Sequence, residues 1–294
     1  MKMDTPAMNL LAFDTGTEAM SIAVARTVGG ASQQWQHSGA GGPLTSTGLI
    51  PAILDLLQQA GLQLRDLDAI CFGSGPGSFT GLRTACSVAQ GLAFGAQVPV
   101  LAIDSLLAVA EAARFSALAD QPRGVVTALL DARMDEWYGA TFAFEGTAWT
   151  TLQDSCLLRP QDLATWAEVP SSVPTAKPLA TPTTPSAATP IAAPTAMGNT
   201  TPWALAGNVF ATDADRLLDT AAAGVPRIAA LPCAQAMLRL APALLAAGLA
   251  VSAEHAMPRY IRDKVAKTTA ERAAEKAAAL QAAVPTIPMP PMTP

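Results

Sequence analysis

The stretch Ile70–Gly81, which reads I-C-F-G-S-G-P-G-S-F-T-G, constrains the fold more than any other part of the chain. Its apolar run, Ala69–Phe72, ends in Gly73, Gly75 and Gly77 around Pro76. A four-residue apolar run bounded by Gly and Pro reads as a buried strand. The glycines permit positive φ and close backbone approach. Ser78 or Thr80 can cap a following helix by accepting from its free N–H groups, and Thr84–Phe94 reads as that helix. A glycine loop at a helix N-terminus can hold an anion, or it can serve only to let the helix pack on the sheet; the residues leave both open. It is not a Walker loop, because no Gly-Lys-Ser/Thr follows. It is not a dinucleotide fingerprint either, because the glycine spacing differs and no chain-opening strand precedes it.

A second loop candidate lies at the start of the chain. Asn9–Phe13 reads as a strand ending at Asp14, Thr15-Gly16-Thr17 turns, and Ser21–Ala25 returns. Backbone amides in such a hairpin can face a phosphate, through Asp14, Gly16 and Thr17, or the Asp can simply stabilise the turn. The pattern recurs: L-L-A-F-D-T-G-T-E is echoed by T-A-L-L-D-A-R-M-D-E, a strand Val125–Leu130 ending at Asp131 and a return over Glu136–Phe144. Two such hairpins imply a duplicated α/β unit. The second has Arg133 where the first has Gly16, which impairs a two-hairpin phosphate clamp.

Between and after these loops the periodicity is mostly helical. Leu49, Ile53, Leu56 and Leu57 recur at helical spacing over Thr45–Ala60, and Gly61 terminates that helix. Gln33–His37 and Val100–Ile103 read as strands, and Asp104 or Ser105 as the cap of a helix over Leu106–Leu118. Trp203–Gly207 reads as a strand, Ala211–Ala222 as a helix, and Ala234–Leu249 as a helix kinked or restarted at Pro242. His255–Ile261 returns to extended or turn character. Pro170–Pro202 is Pro/Ala/Thr/Ser with almost no charge and reads as a flexible insert. Lys264–Ala283 reads as a polar helix and Pro285–Pro294 as disordered. The expected organisation is therefore an α/β fold: a subdomain over 1–104, a second over 105–263 with the insert at about 170–202, and a tail over 264–294.

Composition narrows the function. With 294 residues the chain is long enough for about two domains. Its net charge of −5 disfavours independent nucleic-acid binding. The four cysteines form no CxxC pair and the two histidines, His37 and His255, are far apart, so neither a zinc site nor a Ser-His-Asp set is expected. Met1–Asn9 does not read as a secretory signal and no run of about 18 apolar residues reads as a membrane span, so the expected location is cytoplasmic.

Taken together, L-A-F-D-T-G-T-E-A-M-S-I-A-V, G-S-G-P-G-S-F-T-G-L-R, A-L-L-D-A-R-M-D-E-W-Y and P-R-Y-I-R strongly resemble the bacterial TsaB (YeaZ) family. The resemblance implies an actin/Hsp70-like (ASKHA) fold of two ribonuclease-H-like halves with mixed sheets. It implies a non-catalytic supporting subunit in the synthesis of threonylcarbamoyladenosine in tRNA. The expected partners are a TsaD-type transferase, which holds the metal, and a TsaE-type ATPase; tRNA is met only through the complex. No catalytic residue, metal or tightly bound cofactor is expected, with ATP weakly bound or held by partners. The family's glycine block falls on Gly73, Gly75, Pro76, Gly77, Ser78, Thr80, Gly81 and Arg83. The family's partner surface falls on the two helices, here on Ile50, Ile53, Leu57, Ala85, Ala89 and Gly91, and the same surface can form a homodimer when the chain is alone. The transferase would carry a His pair on the helix that here opens Thr45-Ser46-Thr47 and contains no His. Two alternatives stay in view. One is a small-molecule kinase or ATPase using Asp14, Gly16 and Thr17 with Asp104 or Asp131 on Mg²⁺ or as base. The other is a protease, which has the least support in the residues.

Overall fold

Apolar residues alternate or run continuously through Asn9–Gly75, and they fold as a sheet covered on both faces. The computed structural model describes residues 8–28, 31–42, 45–163, 177–178, 202–211 and 224–262. Strand β1 (Asn9–Asp14) pairs antiparallel with β2 (Ala19–Val28), and β2 with β3 (Ala31–Ala40). After helix α1 (Thr45–Ala60), β4 (Ala69–Gly75) joins β1 in parallel. Helix α2 (Phe79–Ala96) leads to β5 (Val100–Asp104), parallel to β4, so the sheet order is β3-β2-β1-β4-β5.

Helix α3 (Ser105–Ala117) opens the second half, capped by Asp104, whose Oδ1 accepts from the amides of Leu106 and Leu107. β6 (Arg123–Asp131), β7 (Trp137–Glu145) and β8 (Ala148–Leu158) form an antiparallel meander. The two-residue β9 (Lys177–Pro178) pairs with β8. β10 (Trp203–Gly207) lies parallel to β6, and β11 (Arg227–Ala229) parallel to β10. The order β11-β10-β6-β7-β8 repeats that of the first sheet strand for strand. This is the ASKHA arrangement: an α/β fold with two mixed sheets, each begun by an antiparallel meander and completed by parallel strands. Both sheets lie in one compact unit that reaches Ile261.

Helix α3 and helix α4 (Ala234–Ala246) fill the space between the sheets. One apolar cluster joins β1, β4, β5, α3, α4, β6 and β7. A second, on the opposite face of the first sheet, is made by α1 and α2 with Leu11, Phe13, Ile22, Val24, Ile70 and Phe72. A third, with Trp137, Leu158, Leu163, Leu205 and Val209, covers the far face of the second sheet. Sheet faces buried on both sides explain the nearly unbroken apolar runs of β1, β4 and β6.

The differences from expectation have local causes. Helix α2 begins five residues before Thr84, because Ser78 is its cap and Phe79 its first residue. Helix α4 runs through Pro242. β8 was not expected from its sequence, since Thr150, Thr151, Gln153, Asp154 and Ser155 mask the alternation; most of its residues are half-buried. The four cysteines are free, with Cys71 and Cys86 buried. The expected helix over Ala211–Ala222, the tail from Lys264 and, apart from β9, the insert lie outside the described residues.

Candidate functional site

The first hairpin and the glycine block fold onto one another. Asp14 ends β1 and Thr15 follows it, both buried. Asp14 Oδ1 accepts from the Gly16 amide (2.7 Å), and Oδ2 accepts from the Ser105 hydroxyl (2.9 Å) at the start of α3. The Asp14 carboxylate rests on the backbone of Gly73, where any Cβ would overlap Oδ2. The Gly16 carbonyl accepts from the Ser78 amide (2.7 Å), and the Thr15 hydroxyl donates to the Gly81 carbonyl (2.7 Å). A Cβ on Gly81 would run into the Thr15 carbonyl. The block thus requires glycine because another loop of the same chain occupies the side-chain space. Burial pushes the Asp14 carboxyl from 3.8 up to about 6, against the two hydrogen bonds that favour its charged form.

These contacts bring together Asp14, Gly16, Gly73, Gly77, Ser78 and Gly81, and they engage some of the groups expected to face a phosphate. The Gly16 amide is used by Asp14, and Gly16 itself is buried. The Thr17 hydroxyl is engaged with the backbone of Ala19. Gly75 takes φ +113°, and its open side is filled by the Arg259 carbonyl; the Arg259 amide donates to the Ser74 carbonyl (2.7 Å).

The second hairpin repeats the first turn. The Arg133 amide donates to Asp131 Oδ1 (2.8 Å) as the Gly16 amide does to Asp14. Arg133, Met134 and Asp135 all take positive φ, at 63°, 58° and 58°. With no glycine available, this turn carries its left-handed backbone on ordinary residues. Asn208 links the halves: its Oδ1 accepts from the Asp131 amide and its amide group donates to Glu18. Asp131 is thus engaged by its own turn and by Asn208. Asp104 instead caps α3, accepts from Ser155 and pairs with Arg259 (2.9 Å).

At the start of α2 the Arg83 guanidinium lies 3.8 Å over the Phe79 ring, and its Nε donates to the Tyr260 hydroxyl (3.1 Å). Phe79 and Tyr260 pack with ring centroids 5.4 Å apart. Pro76 follows Gly75 through a cis peptide bond, and Thr80 is exposed on the first turn of the helix. So P-R-Y-I-R and G-S-F-T-G-L-R, distant in sequence, form one surface.

The expected partner stripe divides in two. Ile53, Leu57, Ala85 and Ala89 are buried under the first sheet, so they hold α1 and α2 to the core and are unavailable to a partner. Ile50 is 41% exposed and Gly91 is exposed. The residues that do face outward include Leu54 (49%) and Phe94 (79%), with Gly48, Gly91 and Gly95 open above their Cα atoms. Leu54 lies one turn beyond Ile50, and Phe94 three residues beyond Gly91, so helical spacing counted outward from the core positions would have found both. Thr45, the first residue of α1, is buried and its hydroxyl makes no hydrogen bond. Among the described residues no three His, Cys, Asp or Glu side chains converge as metal ligands, and no helix is long and apolar enough to cross a membrane.

Comparison with known proteins follows the same lines. The family described as "TsaD: tRNA N6-adenosine threonylcarbamoyltransferase" matches residues 45–270. The tRNA threonylcarbamoyladenosine biosynthesis protein TsaB of Haemophilus influenzae is 42% identical over 132 residues, 45% of this chain and 52% of that protein; the match spans about half of that relative. The Escherichia coli protein of the same name is 29% identical over 261 residues, 88% of this chain and 96% of that one. The solved structure of YeaZ from Pseudomonas aeruginosa superposes with TM-score 0.63 at 32% identity, covering 86% of this chain and 99% of that one.

Proposed function

The chain belongs to the TsaB (YeaZ) family and takes part in tRNA threonylcarbamoyladenosine biosynthesis, and within that process we propose that it is a supporting subunit that pairs with a TsaD-type transferase. The outer face of α1 and α2 carries this reading. It presents Ile50, Leu54 and Phe94 to solvent beside three glycines with nothing above them. Large apolar side chains next to bare backbone suit the close approach of a second helix pair, and exposed apolar patches mark interaction surfaces. The Asp14 loop supports a structural role for the glycine block, because the Asp14 carboxylate, the Thr15 hydroxyl and the Gly16 amide and carbonyl find partners within the chain. Bound nucleotide, a TsaE-type ATPase and tRNA would then be met through the assembly.

The test is mixing with a TsaD-type transferase on a sizing column with light scattering. The wild-type chain should give a one-to-one complex. Leu54→Asp with Phe94→Asp should weaken it at least tenfold while the far-ultraviolet spectrum and melting stay unchanged. A complex of wild-type affinity from the double variant would remove the proposed surface.

A further inference from the structure

We propose that the cleft between the two sheets, at the end away from the Asp14 loop, is a binding site for a small organic carboxylate held by Arg114 and Arg239. A cavity of about 230 Å³ opens there. Leu10 at the start of β1 and Ala25 and Thr27 toward the end of β2 line one side of it. At about 3.3 Å per residue, Leu10 lies roughly 13 Å along β1 from Asp14, so this site is distinct from the hairpin loop. Helix α3 contributes Glu111 and Arg114, α4 contributes Arg239, and Thr147 comes from the turn between β7 and β8. Residues of both halves therefore line the cavity, and small-molecule sites form preferentially in such clefts.

A buried acid positions the two arginines. Glu111 is 2% exposed, and its carboxylate already accepts four hydrogen bonds. Oε2 accepts from Arg114 Nε (2.7 Å) and the Trp149 indole (3.1 Å), and Oε1 accepts from Arg114 Nη2 (2.8 Å) and Arg239 Nε (2.7 Å). The Arg239 guanidinium also lies 4.0 Å over the Phe115 ring. These contacts leave donors over. Arg114 Nη1 and both Nη groups of Arg239 have no acceptor among the described residues, and the two side chains keep 14% and 23% of their surface open. Guanidinium forks held in place with spare N–H groups suit a carboxylate. Two arginines on one glutamate also leave one positive charge in excess, and no other charged side chain among the described residues lines the cavity.

The rest of the lining sets the class of ligand. Leu10, Leu238, Leu240 and Pro242 are apolar, whereas Thr27, Ser32, Gln34 and Thr147 carry hydroxyl or amide groups. In the β2–β3 register Ala25 faces Gln34 and Thr27 faces Ser32, so these polar groups share one face of the sheet. Inorganic phosphate would leave the apolar lining uncovered. A zwitterionic amino acid would bring an ammonium group to a carboxylate whose four acceptor sites are filled. The ligand that uses every group is a short aliphatic carboxylate bearing a hydroxyl. The cavity is smaller than the roughly 300–1,000 Å³ of drug-sized sites, so this acid has only a few carbons.

Isothermal titration of the full chain with 2-hydroxybutyrate reads the outcome. One-to-one binding with a Kd of about 1 mM or tighter is expected, and the melting temperature should rise with ligand concentration. The neutral 2-hydroxybutyramide and inorganic phosphate should each bind at least tenfold more weakly. Arg239→Gln removes the spare guanidinium donors, leaves Arg114 on Glu111, and should weaken binding at least tenfold. Thr27→Phe fills the cavity, changes no charged residue, and should abolish binding while the chain melts as before. It decides the outcome if Arg239→Gln does not fold. No saturable binding of 2-hydroxybutyrate, equal affinity for the amide or for phosphate, or unchanged affinity in either folded variant overturns the assignment. None of these outcomes depends on the α1/α2 surface.

Discussion

Asp14 shows how one residue can be legible in kind and misjudged in role. An Asp at a strand end before Thr-Gly-Thr suggested either a phosphate contact or a turn. The fold buries it against Gly73 and gives it two internal donors. Its pKa of about 6 exceeds the ordinary 3.8, so the folded chain holds this proton more tightly than the unfolded one. The sign follows: the folded state loses stability as pH rises from about 4 to about 6, and above that carries a constant cost of about 3 kcal/mol. Asp14→Asn keeps an acceptor for Gly16 and removes the buried charge. Denaturant unfolding should show the variant about 2–3 kcal/mol more stable at pH 8 and equal to wild type near pH 4. An unchanged pH profile would mean that Asp14 is not the residue that titrates. The turn was readable from its residues; its burial was not, because Gly73 and Ser105 reach it only through the sheet and α3.

At the scale of elements, the helical period located α1 and α2 but not which side faces out. Ile53 and Leu54 are adjacent, yet one is fully buried and the other half exposed. Consecutive helical residues differ by about 100° around the axis, so the edge of the buried stripe can fall between them, as it does here between Ile53 and Leu54. Ile53→Asp places an unpaired charge in the cluster beneath the first sheet and should unfold the chain or cost more than about 3 kcal/mol, seen as lost cooperative melting. Leu54→Asp should melt like wild type. Equal melting of the two variants would contradict the inward and outward assignment. Ala85 and Ala89, expected at the partner surface, are buried and serve the packing of α2 on the first sheet.

At the scale of the molecule, one buried carboxylate joins three elements far apart in the chain. Glu111 on α3 accepts from Arg114 of the same helix, Arg239 of α4 and the Trp149 indole of β8. Burial would raise its pKa, but the arginine hydrogen bonds outweigh that and hold it below the usual carboxylate range. Its stabilising share is therefore present above about pH 4.5 and is lost as the pH falls through its lowered value. Glu111→Gln leaves two guanidinium groups facing a neutral amide. It should cost about 3 kcal/mol, a fall in Tm of roughly 10 °C, measurable by calorimetry at pH 7. A shift under about 2 °C would show that the cluster does not hold α3, α4 and β8 together.

The sequence by itself determined the class of fold, its internal duplication and the family. Those rest on local signals: apolar strands ending in Asp, a glycine block before a capped helix, and motifs in a fixed order. Only the tertiary structure decided which loop fills the space above the glycines, which faces of α1 and α2 are free, that β8 completes the second meander, and that β3 ends the first sheet. Each is a relation between segments far apart in the chain. A residue pattern specifies the shape of its own element, but the neighbour that removes that element from water is set by packing.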